Sequence, residues 1–383
     1  MLIKSPSGRD LQHSYRFFCR RRGMSNLFSP TGRIAALNFR PGREKFIKNS
    51  SDDRHGRPSV PACEGCGGQN GAKMANAERI FVRAIRQYCA QHDIAVDVRA
   101  EGWLIAMRRG VRRHFAFGYD IGVNSAIAHR LANDKSATSE VLALSGVACI
   151  PHHLFLNPGM AGHVAASDSR EAMLRLLEQN PQGIVIKPNE GTAGRFVLRA
   201  TTRRELELAV GEVFASSPAL VIAPYVEIDE EIRIVLLDEV PMVVYRKERP
   251  SVVGDGTRTL RELARAAAPN ARLDDLDEGE QGAIVPNGER RILNWLHNLD
   301  TGARPVLIEE GEVRDACVRI AVDAAKAIGI AFASIDLVRV DDGWKVLEIN
   351  SGVMMEALGK LYPEIVDAAY AAALDRIFNK PEL

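Results

Sequence analysis

The chain has no hydrophobic run of membrane-spanning length. The best candidate, Ile320 to Val338, is interrupted by Asp323, Lys326 and Asp336. The N-terminus carries charge but no apolar segment, so it does not read as a secretory signal, and a cytoplasmic location without membrane association is expected. Six cysteines in 383 residues are too few and too scattered for a disulfide framework. Cys63 and Cys66 form one C-x-x-C pair, but no second ligand pair follows at the spacing of a zinc ribbon. There is no internal repeat, no glycine-rich loop ending in Lys-Ser/Thr ahead of a helix, and no pattern that marks a Ser-His-Asp or Cys-His nucleophile. These absences exclude membrane transporters, secreted disulfide scaffolds, P-loop enzymes and covalent hydrolases.

Net charge is close to balanced at +1, but unevenly distributed. Residues 1–73 hold 14 Lys and Arg against 5 Asp and Glu, and the remainder holds 36 against 44. The first 73 residues are rich in Arg, Gly, Ser and Pro, with little periodicity, and read as a disordered basic extension. Clustered arginines can neutralise phosphates, but an inert extension ahead of Met74 is the simpler reading, and no nucleic-acid partner is expected.

From residue 75 the pattern is that of a folded body. Helical spacing of apolar residues runs over 77–90, 124–132, 136–145, 203–215 and 313–328. Strand-like runs occupy 95–98, 184–187, 196–199 and 220–225, and two more, 232–237 and 241–246, pair across Asp238-Glu239. Helices mixed with antiparallel hairpins indicate an α+β protein built from small lobes. The boundaries read as a pre-domain segment 74–134, a lobe 135–223 and a lobe 224–383.

Residues 333–350 read as a β-hairpin with Asp341-Asp342-Gly343 at the turn. Glu348 and Asn350, two apart on a strand, share a face. A three-residue turn with Gly343 in the left-handed conformation pairs Val340 with Trp344, and counting back sets Asp336 opposite Glu348. Facing carboxylates destabilise a ladder unless a cation lies between them. Two carboxylates and an amide oxygen are the hard ligands Mg²⁺ takes; a solvated hairpin with a stray charge pair is the alternative.

Two further segments suit phosphate chemistry. Lys187 leaves a strand and enters a loop with Gly191 and Gly194, whose backbone can approach an anion closely. Lys135 opens a helix after Asn133-Asp134. Five segments in this order, 127–135, 187–197, 222–233, 251–260 and 329–350, resemble the ATP-grasp superfamily. They are closest to the branch of cyanophycin synthetase, ribosomal-protein glutamate ligase and bifunctional glutathione synthetases. A sixth, Val285-Pro286-Asn287-Gly288 with Asn298 to Gly302, is similar to the cyanophycin synthetase type.

The resemblance implies an ATP-grasp fold, in which two α/β lobes grip ATP under a small mobile lid. It places Lys135 and Lys187 on the α- and β-phosphates. The loop Glu190, Gly191, Thr192, Ala193 and Gly194 would lie over the β- and γ-phosphates. Ala223, Pro224 and Tyr225 would hold adenine, and Glu231 the ribose. Arg233, with Arg246 or Lys247, would face the γ-phosphate and the acceptor carboxylate, and Asn298 and Gly302 would lie near the reacting carboxylate. Asp336, Glu348 and Asn350 would hold Mg²⁺, or Mn²⁺ in its place. Ala223 departs from the Glu or Gln usual in this branch, and Asn294-Trp295 replaces an arginine-rich stretch. The implied activity is ATP-dependent ligation of an amino-acid or short-peptide carboxylate to an amine through an acyl phosphate, by a homodimer. A non-catalytic ATP-binding module is the alternative that the two departures favour.

Overall fold

The computed structural model describes residues 78–160, 169–191, 196–273, 276–341 and 343–379. The basic extension with Cys63 and Cys66, and Thr192, Ala193 and Gly194 of the glycine loop, lie outside the described residues.

The described chain opens with α1 (Ile80–Gln91) and the antiparallel meander β1 (Ala95–Arg99), β2 (Leu104–Arg109) and β3 (Arg112–Phe117). Two short helices follow, α2 (Ala126–Asn133) and α3 (Lys135–Leu144), capped by the side chains of Ser125 and Asp134. Next come β4 (His153–Leu156), α4 (Ser169–Gln179), β5 (Ile184–Pro188), β6 (Leu198–Ala200), α5 (Arg203–Phe214) and β7 (Ala219–Pro224). Their strands form an antiparallel sheet in the order β4-β7-β5-β6. Ile184, Ile186, Leu220 and Ile222 on one face pack against Leu206, Ala209 and Val213 of α5. The opposite face therefore presents Lys187, Val221 and Ala223.

The third part contains β8 (Glu230–Leu237), β9 (Val240–Glu248), β10 (Ser251–Val253), α6 (Leu260–Ala267), α7 (Glu278–Gly282), β11 (Arg290–Ile292) and β12 (Arg304–Leu307). It ends with α8 (Glu312–Ile328), β13 (Phe332–Val340), β14 (Gly343–Asn350), α9 (Glu356–Gly359) and α10 (Pro363–Phe378). A five-stranded antiparallel sheet, β12-β9-β8-β13-β14, is its centre. Ile232, Ile234, Ala333, Ile335 and Leu337 on one face are covered by Cys317, Ala321 and Ala324 of α8. Val235, Tyr245 and Phe332 on the other are covered by α1 and α10 through Phe81, Ile85 and Tyr370. Along that second face the apolar cover stops, and Arg233, Lys247, Asp336 and Glu348 begin. The mixture of helices with antiparallel sheets is the expected α+β class.

The hairpin β13–β14 carries one correction. Val340 pairs with Gly343, not Trp344, and it is Asp341 that takes a left-handed φ of 55°. The tighter turn shifts the pairing by one residue, and a bulge between the Leu337–Val346 and Asp336–Glu348 pairs shifts it back. Asp336 and Glu348 therefore do lie opposite each other. The bulge also changes which way the chain faces: Val346 points into the α8 core, while Glu348, two residues on, lines the cleft of the other face.

Candidate functional site

Asp336 is fully buried, and the cations that answer its charge come from the protein itself. Arg233 stands beside it on β8 and donates from Nε and Nη2 to its two oxygens, 2.6 Å each. Lys247 Nζ, from β9, donates to Oδ2 at 2.8 Å and also to Glu231. Burial alone would raise the Asp336 pKa, but the Arg233 guanidinium and the Lys247 ammonium hold it well below the carboxylate range. Glu231 is pushed upward by burial against the pull of Lys247. The facing carboxylates are thus relieved first by an internal pair of cations. Glu348, with its side chain 28% exposed, lies only at the edge of this network, 4.0 Å from Arg233 Nη2.

A small cleft lies beside this cluster, lined by Asn133, Lys135, Gly191, Glu348 and Asn350. It brings together phosphate-handling and metal-ligand candidates that are distant in sequence. Lys135 is the first residue of α3, and its Nζ donates to the carbonyls of Asn189 and Gly191 at 3.3 and 3.2 Å. Asn189 Oδ1 accepts from Ser136 N at 3.1 Å, so the loop after β5 is pinned to the N-terminal turn of α3. Lys187 is 8% exposed and its pKa is lowered to about 8, chiefly by burial, with Glu348 opposing and Lys135 reinforcing the shift. Lys187 is thus a buried ammonium whose desolvation the nearby carboxylates offset only in part.

Hard-cation ligands fit at the same place. Asn350 Nδ2 donates to Glu348 Oε1 at 3.1 Å, which leaves Asn350 Oδ1 and Glu348 Oε2 to the cleft. Both oxygens of Asp336 already accept bonds, so Asp336 contributes mainly charge from behind. Among the described residues no three acidic, His or Cys side chains form a metal cluster.

The remaining candidates are placed as follows. Arg246 sits on the face of β9 opposite Lys247 and pairs with Glu230 at 2.9 Å. Ala223 is buried with Ile150, Val338 and Val340. Pro224 ends β7, and Tyr225 donates its N–H to Gly183 O at 3.0 Å. Arg199 stacks 3.5 Å from the Tyr225 ring centre, and Trp295 meets that ring edge-on at 5.7 Å. Trp295 thus takes up aromatic packing where an arginine-rich stretch is usual. Asn298 Oδ1 caps a short turn at Asp300 N, 2.8 Å, and the turn closes at Gly302 with φ 97°. Residues 352–356, which follow the metal strand, serve the core: Val353 and Met355 are buried, and Glu356 accepts from Ile80 N and Phe81 N.

Two features are not apparent in the sequence pattern. His129 Nδ1 lies 3.0 Å from Asp120 Oδ2 and 2.9 Å from Ser351 Oγ, and its Nε2 accepts from Asn133 Nδ2 at 3.0 Å. Serine and aspartate share one ring nitrogen, so the group cannot relay a proton as a triad does. It ties Asn133 of the cleft wall to the residue after Asn350. The signal was His129 and Asn133 one helical turn apart on α2. The second is His152, buried beside the two cleft lysines.

Parts of the chain are similar to known proteins. Residues 287–370 match the family model of the RimK-like ATP-grasp domain. A 68-residue stretch is 35% identical to tetrahydromethanopterin:alpha-L-glutamate ligase of Methanocaldococcus jannaschii. That stretch spans 18% of this chain and 22% of the relative's length. Similar solved structures include a bifunctional glutathione synthetase from Pasteurella multocida, with 18% identity over 75% of this chain and 44% of that one, at a TM-score of 0.47. Another is a D-alanine–D-alanine ligase from Bacillus anthracis, with 17% identity over 67% and 69% of the two chains and a TM-score of 0.45. Among the described residues no helix is long and apolar enough to cross a membrane. Residues 287–370 are thus similar to the RimK-like ATP-grasp domain, the kind of fold that the sequence led one to expect.

Proposed function

We propose that the protein is an ATP-dependent carboxylate–amine ligase that forms an amide bond through an acyl phosphate and releases ADP and phosphate. The observation that carries this reading is the cleft in which Lys135 and the glycine-bearing loop at Gly191 meet the oxygen atoms of Glu348 and Asn350, with the buried Lys187 within electrostatic reach of Lys135 and Glu348. Cations for phosphate on one side and hard oxygens on the other are what alignment of a nucleoside triphosphate requires.

A carboxylate resists attack by an amine until it carries a better leaving group. Transfer of the γ-phosphoryl to a carboxylate oxygen breaks the β–γ bridge and leaves ADP. The amine nitrogen then attacks the acyl carbon, expels phosphate and loses a proton. Lys135 and Lys187 would neutralise non-bridging oxygens of the nucleotide. Mg²⁺, held by Glu348 and Asn350 with the charge of Asp336 behind them, would supply electrostatic neutralisation of the phosphates. Arg233 and Lys247 are paired to Asp336, so their positive charge reaches the cleft offset by that carboxylate. The loop at Gly191 would shield the acyl phosphate from water.

An amino-acid or short-peptide substrate is the class this reading implies, and the M. jannaschii relative is by name a ligase of glutamate. Phosphate release from MgATP by the full chain, screened across pools of amino acids and short peptides with mass detection of products, tests it. Amine-dependent release with a condensation product of matching mass is expected. Tight ATP binding with no turnover in any pool would instead favour the binding-module reading.

A further inference from the structure

His152 is a buried polar group, within electrostatic reach of Lys187 and Lys135, that the ligase reading leaves without a task. It precedes β4 and is 4% exposed. Its backbone N–H donates to Ser139 Oγ at 3.3 Å, which fixes the residue against α3. One ring nitrogen is hydrogen-bonded to the backbone of Ile150. The other, Nε2, is buried and has no hydrogen-bond partner among the described residues. Burial, then the charges of Lys187 and Lys135, push the ring pKa well below its ordinary value, so the imidazole is neutral. A carbonyl can only accept, so the single ring N–H faces Ile150, and Nε2 is left as a bare acceptor.

The strand register says where that acceptor lies. β4 runs antiparallel to β7 with His153 paired to Ile222, so His152 falls beside Ala223. Ile222 points into the α5 core, and His152 and Ala223 share the other face with Lys187. Ala223 offers only a methyl there. Ala223 is packed with Ile150, Val338 and Val340, so the acceptor is buried between apolar groups on the sheet face that also carries Lys187, and there it selects an N–H or O–H donor. Triphosphate oxygens carry no proton at neutral pH; the donors ATP offers are its ribose hydroxyls, which the ligase reading gives to Glu231, and the exocyclic amine of adenine at C6.

We propose that His152 is a nucleobase-specificity residue, its Nε2 accepting a hydrogen bond from the 6-amino group of adenine in place of a side chain at Ala223. The proposal rests on the reading that this cleft binds ATP. A purine with oxygen at C6 sets acceptor against acceptor and is rejected; a purine with hydrogen there loses the bond without a clash.

The test is calorimetric titration of the full chain, with Mg²⁺, by ATP, by inosine triphosphate and by the triphosphate of purine riboside, which lacks the amino group. ATP is expected to bind about tenfold or more tighter than the 6-hydrogen analogue. In His152→Ala that ratio collapses towards one through loss of ATP affinity, with the analogue unchanged. His152→Gln, whose amide can donate or accept, restores ATP binding and admits inosine triphosphate. Equal affinities for ATP and the 6-hydrogen analogue in the unsubstituted protein overturn the proposal, whether or not the variants fold. So does a parallel fall for both ligands in His152→Ala, which would place the effect on Lys187 or on the fold. Absence of binding by all three nucleotides would instead remove the underlying reading of the cleft.

Discussion

Glu348 and Asp336 face each other, but substitution separates their roles. Asp336 holds two buried cations, so Asp336→Asn strips Arg233 of its paired carboxylate and leaves Lys247 with Glu231 alone. Breaking a buried pair in this way costs about 3–5 kcal/mol, and thermal melting should show it directly. Loss of activity in that variant would therefore say little about metal. Glu348 is part-exposed, loosely tied to Arg233 and directed at the cleft. Glu348→Gln should change stability by less than about 1 kcal/mol yet lower turnover roughly a hundredfold, with a raised requirement for Mg²⁺. Near-normal turnover at low Mg²⁺ would sink the ligand assignment. Lys187 supplies a second test, through pH. With its pKa lowered from 10.5 to about 8, it loses its proton above pH 8. Nucleotide affinity should be level below that pH and fall by up to about tenfold per unit above it. Stability moves the other way: between about 8 and 10.5 the unfolded chain binds more protons at this residue, so its contribution to stability rises with pH. Lys187→Arg should flatten the affinity profile, and an unaltered slope in that variant would assign it to another group.

At the scale of elements, the junction between β5 and α3 makes the phosphate side of the cleft. Asp134 caps the helix, and Asn189 clasps its first turn from the loop. Asn189→Ala removes the clasp at a buried position and leaves Ser136 N unpaired. The expected result is a several-fold rise in KM for ATP with a smaller change in kcat, because loop placement and not the reacting groups is altered. Equal losses in both would contradict that account. This junction was only half legible from sequence. Lys135 and Lys187 stood out by residue type, but nothing local in Pro188-Asn189 announces a partner on a helix fifty residues earlier. The β13–β14 hairpin shows the opposite case. Its facing carboxylates were readable because strand alternation is rigid, although the turn was drawn one residue too long. The bulge that compensates has no sequence signal of its own, since Leu347 is as ordinary in a strand as Val346. The cations around Asp336 were likewise readable by type. Their pairing with it depends on the order of β9, β8 and β13 in the sheet, which local periodicity does not encode.

For the molecule as a whole, the described residues ahead of α2, from 78 on, are joined to the five-stranded sheet. α1 and α10 lie together over the face of the five-stranded sheet that ends in the charged cluster, and Phe81, Ile85, Tyr245 and Tyr370 share one core. Glu356 locks this arrangement, for its two carboxylate oxygens accept the N–H groups of Ile80 and Phe81 at 2.8 and 3.1 Å, across 276 and 275 residues of chain. A carboxylate at a helix N-terminus satisfies donors that the helix itself cannot, and it also complements the helix dipole. Glu356→Ala should therefore destabilise by about 2–3 kcal/mol, the sum of two charged hydrogen bonds weighed against some rehydration. If α1 and the sheet are one cooperative unit, the melt stays single and shifts as a whole. An early transition that loses α1 alone, with nucleotide binding intact, would show the opposite. The single shift is expected because Phe81 and Ile85 of α1 share one core with Tyr245 of the sheet and Tyr370 of α10, so losing α1 exposes apolar surface on both, and nucleotide affinity and the α1 core should be lost at the same temperature.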